Sequence, residues 1–198
     1  MDYSPLMDRL ALARTPPPKE RADAARNRKV VLEAAAALFR EHGVDGVSMD
    51  AIAAAAGVGK GTLFRRFGDK AGLAVALLDE QERALQEAVL FGPAPLGPNG
   101  SAAPAERLRS FVDAYLDYLL SHLDLVRMSE TASAGARYRI GAYGFWHHHV
   151  SLLLSSPDPE ADAHTLLASL SAEHVHAMLP VLGPARLRRS ILACFCAK

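Results

Sequence analysis

The sequence predicts an all-α fold, with a three-helix domain at the N-terminus and a larger helical domain after it. Apolar residues recur every three or four positions along most of the chain, which is the period of an amphipathic helix. No segment shows the alternation of β-branched and polar residues that is typical of a strand. Clusters of glycine and proline separate the helical stretches and predict the loops between them.

Residues 1–25 are expected to form a mobile arm, because the three consecutive prolines from Pro16 to Pro18 prevent a helix at that point. From Asn27 to His42 the apolar residues lie on one face of a helix, which Gly43 ends.

Two short helices are expected next. Ser48 is a good N-cap for the first of them, and Gly57 suits the left-handed residue that ends it. Gly59 can serve as the N-cap of the second, which reaches about Phe67. Two short helices joined by the turn at residues 57–59 form a helix-turn-helix.

The remainder of the chain is predicted to be helical with one long loop. Asp69 is a good N-cap for a helix to about Leu90, and the segment 91–104 is a loop rich in glycine and proline. The residues from Leu108 to Leu119 have the most regular helical spacing in the chain. Further helices are expected over about 124–134, 137–155, 160–182 and 185–196.

The stretch GVGKGT, residues 57–62, looks like the turn that holds phosphate in nucleotide-binding enzymes. In that register Ala54 replaces the first glycine of the motif, and Gly61 follows Lys60 where a serine or threonine is expected. The preceding residues are rich in alanine, which favours a helix over the strand that such a loop needs. A helix-turn-helix explains the stretch better, and the nucleotide-binding enzyme stays as an alternative.

The first residues of the third helix favour contact with DNA over helix stability. Lys60 places a positive charge at the positive end of the helix dipole, and Gly61 costs about 1 kcal/mol relative to alanine. Gly61 would let the backbone approach DNA closely, and Thr62 offers a hydroxyl. Arg65 is the candidate for a bidentate guanine contact, and Arg66 is either a second base-reading residue or a phosphate contact.

The composition limits the class of protein. The net charge is zero, but residues 1–72 carry 12 Lys and Arg against 9 Asp and Glu, whereas residues 73–198 carry 10 against 13. This difference in sign is expected if only the first part meets a polyanion. There is no apolar run long enough for a membrane span, and we expect no secretory signal because the N-terminal residues have no continuous apolar core. Cys194 and Cys196 give no disulfide framework, so we expect a cytoplasmic protein.

Residues 26–72, centred on AALFREHGVDGVSMDAIAAAAGVGKGTLFRRFGDKAGL, resemble the DNA-binding domain of the TetR family of transcriptional regulators. The resemblance implies that Ser48 and Lys70 contact phosphates and that the helix from Gly59 to Phe67 enters the major groove. Phe64 stands where the family usually has tyrosine, and Gly59 where a serine or threonine often caps the helix. The predicted DNA contacts are Ser48, Gly59, Lys60, Gly61, Thr62, Phe64, Arg65, Arg66 and Lys70.

The resemblance also implies that residues 73–198 bind a small molecule and form a homodimer. The stretch GAYGFWHHHV, residues 141–150, places polar-capable rings beside small residues, which can leave space for a ligand. The candidate pocket residues are Tyr115, Tyr118, Met128, Tyr143, Trp146 and His147.

Neither a metal nor another cofactor is expected. Consecutive residues on a helix point about 100° apart, so the three histidines from His147 to His149 cannot converge on one ion. A histidine cluster that responds to pH stays as an alternative.

The last two predicted helices each carry an apolar stripe. Cys194 continues the spacing of Leu187 and Ile191 and is expected to pack on that face, and a similar stripe runs from Val175 to Leu182. Two such helices suit an isologous four-helix dimer interface, although they could equally be monomer core.

We therefore expect a non-enzymatic, homodimeric transcriptional regulator that responds to a ligand and represses at a near-palindromic operator. Its partners would be double-stranded operator DNA, an unidentified small-molecule effector and a second copy of the chain through the C-terminal helices, with no membrane. The alternatives are a helical small-molecule-binding protein that has lost DNA reading, and a nucleotide-binding enzyme that uses GVGKGT.

Overall fold

The structure, a computed structural model, describes residues 22–139 and 141–195. In this part of the chain there is no strand, only an isolated bridge between Pro93 and Asn99, so the all-α prediction is confirmed there. The helices are α1 (Ala22–His42), α2 (Met49–Ala56), α3 (Lys60–Phe67), α4 (Lys70–Phe91), α5 (Pro104–Thr131), α6 (Ala136–Arg139), α7 (Gly141–Leu153), α8 (Pro159–Ser169) and α9 (Ala172–Phe195).

The chain forms two compact units that divide between Leu77 and Leu78, within α4. In the first unit α1 packs against α2 and α2 against α3. Its core consists of Val31, Ala35, Phe39, Val44, Val47, Ile52, Ala53, Ala56, Leu63, Leu73 and Ala74, all buried. The helix α1 begins at Ala22, earlier than the predicted start at Asn27, and thus takes in the end of the predicted arm. The rest of that arm, residues 1–21, lies outside the described residues.

In the second unit α5 packs against α9, and α7 packs against α8. The guanidinium of Arg188 on α9 joins the first pair by bonding to the Asp113 carboxylate at 2.8 Å and to Asp117, both on α5. The largest fully buried side chains of this unit are Val89, Phe111, Leu116, Leu119, His149, Leu153, Leu166, Leu167 and Leu170.

The helix α5 is longer than predicted, because the expected helix at 124–134 is its continuation past a kink. The kink lies at His122, whose backbone has φ −134° and ψ 23°. The His122 Nδ1 atom lies 3.0 Å from the carbonyl oxygen of Tyr118, the acceptor that the His122 main-chain N–H uses in a regular helix. The side chain thus competes with the main chain at this point, and the helix bends there.

The helix expected over 160–182 is interrupted after Ser169. Ser171 caps the next helix, because its Oγ accepts a hydrogen bond from the main-chain N–H of His174 at 3.3 Å. The carboxylate of Glu130 accepts a second bond at this helix end, from the Ala172 N–H at 2.8 Å. A tertiary contact from α5 therefore fixes where α9 begins. Within the helix expected over 137–155, the described residues form α6 up to Arg139 and α7 from Gly141 to Leu153.

Along α9 the helical geometry breaks at Gly183, which has φ 70° and ψ 161° and lies between the two helices expected over 160–182 and 185–196. Leu187 and Ile191 are buried, but Cys194 is exposed, so the prediction that Cys194 packs on the apolar face is wrong. The helix face that carries Leu187 and Ile191 is therefore buried at Ile191 but exposed one turn later, at Cys194. Val175 is core, whereas Val181 is 69% exposed.

Candidate nucleic-acid interface

The turn between α2 and α3 is built by a left-handed glycine. Gly57 has φ 64° and ψ 29°, a conformation that a Cβ disfavours. Its N–H donates to the Ala54 carbonyl at 3.2 Å, and the Val58 N–H donates to the Ala53 carbonyl at 3.0 Å. This is the Schellman arrangement of a helix C-terminus, and it ends α2 at Gly57. The predicted helix-turn-helix is therefore present.

The first residues of each helix match the predicted caps. The Oγ of Ser48 accepts from the Ala51 N–H at 3.1 Å and so caps α2. Gly59 is the extended N-cap of α3 and has no side chain to bond with, and the Asp69 carboxylate accepts from the Gly72 N–H at 2.8 Å at the start of α4. Because Ser48 accepts in this cap, its exposed hydroxyl hydrogen can still donate to an external group.

One face of α3 holds the helix in place and the other is exposed. Leu63 is 1% exposed and Phe67 is half-buried, so this side packs into the first unit. Lys60, Thr62 and Arg65 are exposed, and Phe64 is 45% exposed, which is high for a large aromatic ring. Arg66 is half-buried.

Gly61 has no internal reason to be a glycine. It has helical backbone angles, and a Cβ built on it would meet no heavy atom within 4 Å. Gly72 differs, because its Cβ would lie 1.9 Å from the Phe67 carbonyl oxygen. The fold thus demands a glycine at 72 but not at 61. Since glycine weakens a helix, an external surface that approaches α3 closely would explain Gly61.

Lys70 is engaged within the fold, which changes the interpretation that the resemblance suggested. Its ammonium donates to the carbonyl oxygens of Val44 at 2.8 Å and Val47 at 3.0 Å, and Asp45 O lies at 3.5 Å. These contacts tie the loop before Ser48 to the start of α4. A phosphate contact by Lys70 would have to compete with them, because the ammonium has only three hydrogens to donate.

The phosphate-loop alternative lacks the strand that it requires. The residues before GVGKGT form the helix α2, and Lys60, Gly61 and Thr62 lie in the first turn of α3. Lys60 pairs with the carboxylate of Asp50 on α2. The stretch is therefore a helix-turn-helix and not a nucleotide-binding turn.

In the second unit five of the six predicted pocket residues fall into two groups. Tyr115 and Trp146 are buried with ring centroids 5.5 Å apart, and Tyr118 lies 5.9 Å from Tyr115. Phe111 packs between them and His149, at 5.6 Å from Trp146 and 5.1 Å from the His149 ring.

The second group lies where α7 meets α8. The Tyr143 hydroxyl is 2.6 Å from Nδ1 of His164, and the His147 and His164 rings are 3.9 Å apart. Met128 is half-buried and joins neither group through a ring contact.

No sequence pattern indicated the buried ion pair between Arg137 and Glu130, whose side chains are 10% and 7% exposed. Arg137 also donates to the Leu167 carbonyl at 2.8 Å, and its guanidinium carbon lies 5.7 Å from the centre of the Tyr143 ring. It thus links α6, α8 and the second aromatic group. A single arginine in a four-residue helix carries no periodic pattern that would have revealed this.

The pKa values of His149 and Glu82 in the second unit are shifted in opposite directions. Burial lowers the pKa of His149 to about 3, and the charges of Arg107 and His148 add to the shift, so this ring is neutral. Burial raises the pKa of Glu82 above its usual range; the Trp146 indole opposes this shift and Asp79 adds to it.

No helix in the described part of the chain is long and apolar enough to cross a membrane. Residues 22–139 and 141–195 also bring together no group of three or more His, Cys, Asp and Glu side chains that could hold a metal ion.

Comparison with known proteins agrees with this geometry. Residues 31–77 match the family of bacterial regulatory proteins called tetR. An HTH-type transcriptional regulator of Staphylococcus aureus is 49% identical over 53 residues, which are 27% of this chain and 29% of the relative. The chain therefore matches less than a third of that relative's length.

Solved structures show the same fold over most of the chain. A TetR-family transcriptional regulator from Pectobacterium atrosepticum is similar with a TM-score of 0.63 and 24% identity, over 89% of this chain and 94% of that one. NalD of Pseudomonas aeruginosa, described as the secondary repressor of the MexAB-OprM multidrug efflux pump, is similar with a TM-score of 0.52 and 20% identity, over 85% and 94%. The helix-turn-helix unit thus matches the tetR family of bacterial regulatory proteins, and the chain has the fold of these solved structures.

Proposed function

We propose that this protein is a non-enzymatic, homodimeric transcriptional repressor that leaves a near-palindromic operator when a small molecule binds. The observation that carries the DNA-binding part is the exposed edge of α3, where Gly61 has open space on its outer side between Lys60 and Arg65. A close external surface and cationic donors beside it are what a major-groove helix requires.

Within this proposal some of the exposed residues would contact base edges and others would contact phosphates. Arg65, exposed and without an ion-pair partner among the described residues, would bind the O6 and N7 atoms of a guanine. Ser48 and Arg66 would contact phosphates, Thr62 offers a hydroxyl, and Phe64 supplies an apolar edge that suits a thymine methyl group. Lys70 would act indirectly, by holding the loop that presents Ser48.

The proposals of dimerisation and of a ligand response rest on the resemblance to the TetR family and on the contacts within the second unit. Two copies of α3 would read half-sites separated by about 34–36 Å, one turn of DNA. The aromatic groups around Tyr115 and Tyr143 are the proposed effector sites, and the partly exposed residues of α9 between Met178 and Leu182 are the proposed dimer contact. Because α4 contributes residues to both units, we propose that it carries the coupling between effector and operator. The repressor role follows the description of NalD.

The test is a gel-shift titration, at several salt concentrations, with duplex DNA from beside the gene of this protein. Wild type should bind one fragment tightly with a strong salt dependence. Arg65→Ala should weaken that complex by about 1–3 kcal/mol while leaving binding to unrelated DNA nearly unchanged.

The same titration, repeated with candidate small molecules, tests the ligand response. A protein that binds ligand but shifts no fragment would instead be a helical binding protein that has lost DNA reading, and the proposed function would be wrong.

A further inference from the structure

The exposed cationic residues of α3 are Lys60 and Arg65, and the acidic side chain of Asp50 lies beside the first of them. The ammonium of Lys60, the first residue of α3, pairs with the carboxylate of Asp50 in the first turn of α2. The two side chains are 62% and 57% exposed, so the pair stands at the surface next to Gly61. Neither has a second ionic partner in the described part of the chain.

Helix stability explains one member of this pair but not the other. A carboxylate in the first turn of α2 interacts favourably with the helix dipole, whereas a lysine in the first turn of α3 interacts unfavourably. Asp50 offsets the unfavourable charge of Lys60, but a neutral residue at position 60 would remove the problem altogether. Lys60 is therefore better explained by an external acceptor, and Asp50 lies where it can decide which acceptor that is.

A phosphate and a base edge respond differently to this pair. A phosphate that approaches Lys60 also approaches the Asp50 carboxylate, and the two negative charges repel each other. The O6 and N7 atoms of guanine are neutral acceptors, so the carboxylate does not repel them in this way. Lys60 has two ammonium hydrogens left after bonding to Asp50, and the carboxylate has free lone pairs that can accept from the N4 amino group of cytosine.

We propose that Asp50 is a specificity-determining residue, which forms with Lys60 a net-neutral donor and acceptor pair that reads one G·C base pair and disfavours phosphate contact by Lys60. This inference rests on the proposed function, because it concerns the same DNA-binding edge. Asp50 lowers the affinity for unrelated DNA, and its presence makes Lys60 a base-reading residue.

The test compares wild type with Asp50→Asn by fluorescence anisotropy on operator DNA, on unrelated DNA, and on operators altered at one base pair at a time. With the carboxylate gone, Lys60 can bind a phosphate, so the variant should bind unrelated DNA more tightly. Its log–log salt slope should steepen by about 0.9, the value for one additional phosphate contact. Discrimination at one G·C position should fall by about 5- to 150-fold, the loss of one good base contact.

The matched control is Glu33→Gln, which removes the same charge from another exposed ion pair of the first unit. Glu33 pairs with Lys29 at 3.8 Å on α1, with side chains 65% and 77% exposed. This control should leave the discrimination unchanged. In a Lys60→Gln background, Asp50→Asn should no longer steepen the slope. Asp50→Ser, which also suits the first turn of a helix, replaces Asp50→Asn if the latter unfolds in thermal denaturation.

The inference is overturned if Asp50→Asn behaves like Glu33→Gln, or if its effect persists in the Lys60→Gln background. If wild type binds an operator and Asp50→Asn keeps its slope and discrimination, only this inference fails. If wild type shows no salt-dependent DNA binding at all, the proposed function fails and this inference fails with it.

Discussion

Replacement of Gly61 by alanine should change protein stability and DNA affinity in opposite directions. Gly61 is the second residue of α3, has helical backbone angles, and would place a Cβ in open space. An alanine there loses less backbone entropy on folding and meets no clash within the chain. The free energy of unfolding should therefore rise by about 0.5–1 kcal/mol. For a chain of this size that corresponds to an increase in Tm of about 1–4 °C.

The same methyl group should obstruct the DNA complex. If the α3 backbone lies against the duplex at Gly61, the added carbon must push the helix away or displace its neighbours. Inserting one methyl group into a packed contact typically costs about 1–3 kcal/mol, so operator affinity should fall by about 5- to 150-fold. Circular dichroism during thermal unfolding measures the first effect, and anisotropy with labelled operator measures the second.

The control for this experiment is Gly141→Ala in α7. Gly141 is also exposed, lacks a positive φ, and would place its Cβ where no heavy atom lies within 4 Å. Gly141→Ala should not weaken operator binding, because Gly141 lies outside the helix-turn-helix unit that is proposed to bind DNA. If Gly61→Ala stabilises the protein and binds operator as tightly as wild type, no surface approaches Gly61 closely and the proposed docking of α3 is wrong.

Three other changes test the remaining assignments. Lys70→Met should lower the free energy of unfolding by about 1.5–3 kcal/mol, because it removes charge-assisted bonds to the Val44 and Val47 carbonyls. Its salt slope for operator binding should not change, and a flatter slope with unchanged stability would restore Lys70 as a phosphate contact. Arg137→Met should cost about 3–5 kcal/mol in urea unfolding, because it leaves the Glu130 carboxylate buried without its cation, and a loss of under about 1 kcal/mol would contradict that role. His149 has a lower pKa in the folded protein than in the unfolded chain, so only the unfolded chain takes up its proton as the pH falls from 6.5 towards 3. Wild type should lose about 1.4 kcal/mol more per pH unit than His149→Gln in this range, and parallel pH profiles would refute it.

The parts of the helix-turn-helix that the sequence predicted depend on short-range interactions. Ser48 bonds to an N–H three residues away, and Gly57 adopts its left-handed angles because of the helix that it ends. Such caps and turns involve neighbours within five residues, so the residue types themselves indicate the structure. The burial of Leu63 opposite the exposed Arg65 follows in the same way from the helical period.

The features that the sequence did not reveal join residues distant along the chain. Lys70 reaches Val44 across 26 positions, and Glu130 reaches the N-terminus of α9 across 42. Each of these contacts changed an expectation. The first engages Lys70, which was expected to contact a phosphate, and the second marks the start of α9 inside the helix expected over 160–182. The exposure of Cys194 has the same origin, because its periodic spacing says which face it shares but not how far the core extends.

For this protein the sequence alone determined the helical class, the helix-turn-helix, and which residues of α3 are exposed. Local hydrogen bonds and the helical period set all three. Only the tertiary structure decided which charges remain available at the exposed edge of α3. It engages Lys70 inside the first unit and pairs Lys60 with Asp50, and an ammonium has a limited number of hydrogens to share between the fold and a partner.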